Sequence, residues 1–187
     1  MYASYAQRSY AAYPNRPVIW VIEPDMSQYA EGQSGNPLSM TELGNFAADI
    51  ICAIKTNMPN AVIALNHSTW LTGAQTRAFW GAMPLDLVDM LHITSQANVP
   101  GGYFNSTDAN NRVEGTFAFL NQLTTKPIMA DTSFGITTMQ DSWSSSDVAT
   151  LNQRIADGVV GALIYPTPGN YQQRINTLAP QLASTCQ

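Results

Sequence analysis

The sequence predicts an α/β protein, a partial or distorted (β/α) barrel with about five parallel strands and flanking helices. Two observations predict it. Short, uniformly apolar and β-branched segments alternate with helical ones along the chain, the pattern of a parallel sheet covered on its faces. Each apolar segment also runs into polar residues at its carboxyl end, which is where parallel α/β folds build their sites.

The elements follow in order. "YASYAQRSYAAY" reads as a helix leading into the strand "VIWVIEPD". "TELGNFAADIICAIK" is a helix with Leu43, Phe46, Ile50 and Ile54 on one face, and after "NMPN" it leads to the strand "AVIALNHSTW". "PLDLV" leads to "DMLHITSQAN", "RVEGTFAFLNQLTT" to "KPIMADTSFG", and "DVATLNQRIADG" to "VVGALIYPTPG". A closing helix, "YQQRINTLAPQL", carries Tyr171, Ile175, Leu178 and Leu182 at helical spacing. No internal repeat or low-complexity linker divides the chain, so residues 1–187 are expected to form one domain. A closed barrel has roughly eight strand–helix units. The chain therefore reads as the C-terminal portion of a barrel, lacking its N-terminal strands. Two open sheet edges invite pairing, and a homodimer or higher oligomer is expected.

Composition narrows the function. Hydrophobic residues make up 45% of the 187 and charged residues only 11%, against roughly 25% charged in ordinary soluble domains. An amide- and hydroxyl-rich surface suits a secreted protein. A net charge of −5 with eight Lys plus Arg argues against nucleic acid, which needs a basic face. No apolar run reaches the ~18 residues of a membrane span, and the opening residues hold no signal-peptide core. Cys52 and Cys186 are either one bridge to the C-terminal tail or two unrelated cysteines. No Cys or His spacing resembles a zinc site, and neither a metal nor a cofactor is expected.

The strand ends carry the chemistry. They offer Glu23 and Asp25, then Asn66 and His67, then Thr94, Ser95 and Gln96, then Asp131, Thr132 and Ser133, and last Tyr165. Carboxylates from different strands, one as acid and one as base, are the minimum equipment for hydrolysing a glycosidic bond. Glu23, Asp25 and Asp131 are thus the candidate catalytic residues, with Asn66, His67, Trp70, Gln96 and Tyr165 as candidate binding residues for a polysaccharide or oligosaccharide. Each has a plainer reading. Glu23 and Asp25 can cap the following loop, Asp131 can form an Asx-turn, and any of Trp70, Trp80 and Trp143 can be a core lid. His92, inside an apolar strand, reads as a satisfied core histidine. His67 next to Ser68 suggests a nucleophile pair, but no G-x-S-x-G elbow is present and adjacent strand residues point to opposite faces.

The ordered series "IEPDM", "NHSTWL", "TSQANVPGGYFN", "ADTSFG" and "YPTPGNY" resembles glycoside hydrolase family 6, the inverting cellulases with a distorted β/α barrel. The resemblance implies that Glu23 and Asp25 belong to a sugar-contacting E-P-D motif. It implies that His67 and Trp70 line a glucan groove, and that Asp131 is the Asp of a D-T-S segment. Two positions depart from the family pattern. Its general-acid aspartate lies on a strand upstream of E-P-D, and its base lies in a final loop where this chain reads "YPTPGNY" and offers Asn170 but no carboxylate. The acid and base would then come from Glu23, Asp25 and Asp131, with Glu23 as the desolvated acid and Asp131 as the ionised base. The expectation is a glycoside hydrolase, a cellulase or β-glucanase. The alternatives are a non-catalytic carbohydrate-binding member of the same fold and, more weakly, an acyl hydrolase using Ser68 or Ser133.

Overall fold

A computed structural model of the chain describes residues 1–23, 25–30, 35–94, 113–131, 148–163 and 171–182. Five strands, β1 (Val18–Ile22), β2 (Ala61–His67), β3 (Met90–Thr94), β4 (Ile128–Asp131) and β5 (Val159–Leu163), form one sheet in that order. β1 pairs with β2 in parallel, Val18 opposite Ala61 through Ile22 opposite Leu65. β4 pairs with β5 in parallel, with a register shift between Ile128 and Met129. A helix lies in every connection between successive strands. The predicted class, α/β with five parallel strands and flanking helices, is the one found.

The chain divides into two compact units, Met1–Ser68 with Ala74–Leu91, and Thr69–Gly73 with His92–Gln187. In the first, α1 (Tyr2–Ala12) packs on α2 (Met40–Asn57). The start of α2 is written locally. Ser39 accepts from the Glu42 amide while the Glu42 carboxylate accepts from the Ser39 amide at 2.8 Å, a reciprocal cap of two orphan donors. Leu43, Ala47, Ile50, Ile51 and Ile54 bury the inner face of α2. Phe46, expected on that face, stands 38% exposed. α3 (Gly73–Ala82) is a helix that the sequence pattern does not predict; its apolar pair Phe79 and Trp80 is buried side by side, a doublet that gives no helical period.

Two polar side chains lace this unit together. Asn60 donates from Nδ2 to the carbonyls of Tyr13, Pro14 and Arg16, and so ties the α1–β1 turn to the start of β2. Asp89 accepts from the Ile63 amide at 2.7 Å and from Lys55 Nζ at 2.8 Å, while its own amide donates to the Ile63 carbonyl at 3.0 Å. One residue thereby joins β2, α2 and the approach to β3.

In the second unit, Thr116 caps α4 (Phe117–Thr124), and α5 (Val148–Ala156) leads into β5. The turn between α5 and β5 needs a glycine. Gly158 has φ +98°, and the Asn121 side chain occupies the space a Cβ would take. The last helix, α6 (Tyr171–Leu178), leaves Ile175 40% exposed.

Gly44 sits in mid-helix because the Ala82 carbonyl of α3 lies where its Cβ would go. Gly81 on α3 has open space around it. Gly44→Ala is expected to lower stability, since overpacking costs about 1–3 kcal/mol while the helix-propensity gain is about 1. Gly81→Ala is expected to raise it by about 0.5–1 kcal/mol. Urea unfolding of the two variants beside wild type checks the opposite signs.

Candidate functional site

Beyond β1 the backbone turns through two residues that are not glycine. Glu23 has φ +39° and Asp25 has φ +65°. Left-handed backbone costs a long side chain such as Glu about 1–3 kcal/mol and Asp less, and such strain collects at functional loops. The turn closes with the Met26 amide donating to the Glu23 carbonyl and the Gln28 amide to the Asp25 carbonyl, at 3.2 and 2.9 Å. It drops Met26 and Ser27 into the core and brings Tyr29 back over the loop. The Tyr29 hydroxyl donates to Glu23 Oε2 at 3.3 Å. The Tyr29 ring meets Phe46 of α2 edge-on, with centroids 5.9 Å apart and planes at 78°. The carboxylate of Glu23 raises the Tyr29 phenol above its usual range, with burial and the hydrogen bond adding to it, so this hydroxyl remains a donor.

The end of β2 runs alongside. Asn66, His67 and Ser68 are all buried. Asn66 Oδ1 lies 3.5 Å from the Asp25 amide, and Ser27 Oγ donates to Ser68 Oγ at 3.0 Å. Burial pushes the Asp25 carboxyl up. His67 accepts from the Trp80 indole N–H at its Nδ1, at 3.0 Å, with the two rings stacked 5.9 Å apart. An indole can only donate, so Nδ1 carries the lone pair and the proton sits on Nε2. Burial draws the His67 pKa down to about 3, and the ring is neutral.

In the second unit, Asp131 ends β4 with Oδ2 at 3.4 Å from His92 Nε2 of β3. His92 is buried, as its apolar strand implies, and its companion is the carboxylate that sequence reasoning cast as a base. Trp70 is 44% exposed. Cys52 is exposed on α2. Ser95, Gln96, Thr132, Ser133, Trp143, Tyr165, Asn170 and Cys186 lie outside the described residues. Among the described residues no three His, Cys, Asp or Glu side chains group as they would around a metal ion.

The structure thus brings Glu23, Asp25 and Asn66 together at the ends of β1 and β2, with His67 held behind them by Trp80. Tyr29 and Phe46 belong to the same cluster and were missed. Tyr29 lies six residues past Glu23 in the opening loop, while Phe46 carried the opposite signal, an apolar residue at core spacing.

No family description matches the chain, and no curated protein matches its sequence. Among solved structures, the chain is similar to dihydrodipicolinate synthase from Agrobacterium tumefaciens str. C58, with a TM-score of 0.54 and 15% identity. The match covers 98% of this chain and 54% of that one, so the chain spans about half the length of the protein it resembles. At this identity the likeness carries the fold, a β/α-barrel type.

Two expectations are corrected by these findings. The resemblance to glycoside hydrolase family 6 is not upheld, because no family description matches and the structural likeness is to a dihydrodipicolinate synthase. The segments that carried it are short and lie at strand ends, where any parallel α/β fold collects polar residues. The assignment as a glycoside hydrolase, a cellulase or β-glucanase, falls with it, since the similar structure is a synthase.

Two measurements check the electrostatics. Below the ordinary histidine pKa of 6.5 the unfolded chain takes up a proton that native His67 refuses until about 3. Stability is therefore full above pH 6.5 and falls through that window by about 1.4 kcal/mol per pH unit. Urea unfolding at pH 7.5 and 5 is expected to show a His67 contribution of about 2 kcal/mol, absent in His67→Gln. For Asp25 the sign is opposite. Its raised carboxyl penalises the charged form at neutral pH, and the penalty vanishes below the ordinary value of 3.8. Asp25→Asn, with a side chain at ease in left-handed backbone, is expected to raise the melting temperature at pH 7, with the gain fading toward pH 3.

Proposed function

We propose that the chain binds a neutral, polyhydroxylated ligand, a carbohydrate, at the ends of β1 and β2 without cleaving it. The observation that carries this reading is the pair of left-handed carboxylate residues, Glu23 and Asp25, held beyond β1 with Tyr29 and Asn66 as their companions. A sugar hydroxyl is both donor and acceptor. Carboxylates and an amide oxygen accept from it, and a phenol or amide N–H donates to it. A few convergent polar groups of this kind fix a small ligand's orientation.

Binding without cleavage is preferred for a chemical reason. Glycoside hydrolysis needs two carboxyls flanking the scissile bond, one free to give a proton and one to act from the other side. Glu23 and Asp25 are two residues apart on one turn, and Tyr29 already donates to Glu23. The synthase reaction named for the similar structure is not carried over, since 15% identity supports the fold alone.

Isothermal titration with a panel of oligosaccharides tests the reading. Wild type is expected to bind one class of sugar, and Glu23→Ala to weaken it at least tenfold, about 1.4 kcal/mol, with no reducing ends released over hours. Absence of binding to every sugar at millimolar concentration, or steady release of reducing ends, would sink it.

A further inference from the structure

We infer that β1 is the contact between two copies of this chain, pairing antiparallel with its counterpart about a twofold axis. The sheet order puts β1 at an edge, bonded to β2 on one side, and among the described residues no strand lies on its other side. An edge strand presents a row of backbone N–H and C=O groups, and natural proteins guard it with lysine, proline, a bulge or an inward charge. β1 reads Val-Ile-Trp-Val-Ile and holds none of these. Its alternate residues Ile19 and Val21 share one face and stand 47% and 38% exposed. Trp20, on the opposite face, donates its indole N–H to Met58 Sδ at 3.4 Å. The face of β1 left in water is thus apolar and lies away from that contact.

An unguarded edge fits many strands, and the charges at the two ends of β1 select this one. Arg16, exposed, stands two residues before the strand, and Glu23 stands one residue after it. No other charged residue lies between them. Antiparallel pairing centred on Trp20 sets Ile19 opposite Val21 of the other copy, and Val21 opposite its Ile19. Four apolar side chains then meet on one face, the kind of cross-strand contact that stabilises a sheet. In the same register Arg16 of each copy falls beside Glu23 of the other, and the twofold axis makes that ion pair twice. Parallel self-pairing would instead set Arg16 against Arg16 and Glu23 against Glu23. Glu23 already accepts from Tyr29, and a carboxylate has room for a guanidinium besides. The pairing needs no ligand.

Light scattering after size exclusion, on the full chain at micromolar concentration, is expected to give twice the chain mass. Ile19→Lys puts a guard on the exposed face of β1 and should give a monomer with a cooperative thermal melt. Val160→Lys makes the same change at a half-exposed position of β5, the other edge of the sheet, and should stay dimeric. Arg16→Glu should weaken dimerisation at least fivefold, and combining it with Glu23→Arg should restore the dimer to within twofold of wild type. A monomeric wild type overturns the pairing, and so does a dimer that Ile19→Lys leaves intact. Dissociation by Val160→Lys places the contact at β5 and overturns it too. If the exchanged charges do not restore the dimer, the antiparallel register is wrong.

Discussion

The reversal of the backbone at Glu23 and Asp25 is the constraint on which the first unit's polar end depends. Left-handed φ, +39° at Glu23 and +65° at Asp25, is unfavourable for most residues with side chains and least so for Asp. It persists because the residues just beyond are anchored: Met26 and Ser27 are buried, and Ser27 is bonded to Ser68 beyond β2. The same turn sends Tyr29 back onto Glu23 and against Phe46. A relaxed, extended exit from β1 would separate all of these groups. Strain, burial and the aromatic contact are thus one arrangement.

Several polar side chains elsewhere are paired, and each pairing limits what the residue can do. His67 is neutral with its proton on Nε2 because Trp80 occupies Nδ1 and burial disfavours charge. His92 has the Asp131 carboxylate at its Nε2. Asp89 divides one oxygen between the Ile63 amide of β2 and Lys55 of α2. A buried ionisable group removed from its companion leaves the other unsatisfied, at a cost well above the net value of the pair.

The candidate site was legible in part. Glu23, Asp25 and Asn66 could be read because a parallel strand ending in polar residues is a local pattern, and the ends of β1 and β2 are neighbours by topology. Their chemistry was not legible. Whether a carboxyl is desolvated depends on atoms from other elements, and Asp25 carries the upward shift through burial that its tetrapeptide does not reveal. His67 looked like a groove residue, yet its environment is set by Trp80, thirteen residues on in α3, a helix that sequence periodicity did not disclose.

By itself, the sequence determined the things that depend on neighbours in the chain. The apolar β-branched runs specified five strands, and the alternation of strand and helix required parallel pairing. Tertiary structure decided the rest. Phe46 has core spacing but stands 38% exposed, because the face a helix buries is chosen by what packs on it and not by its periodicity alone. Asp131 reads as an Asx-turn or a catalytic base, and only the adjacency of β3 and β4 sets His92 against it. Backbone direction at Glu23 and Asp25 was likewise invisible, since a left-handed turn in residues other than glycine is held by distant contacts that no local preference encodes.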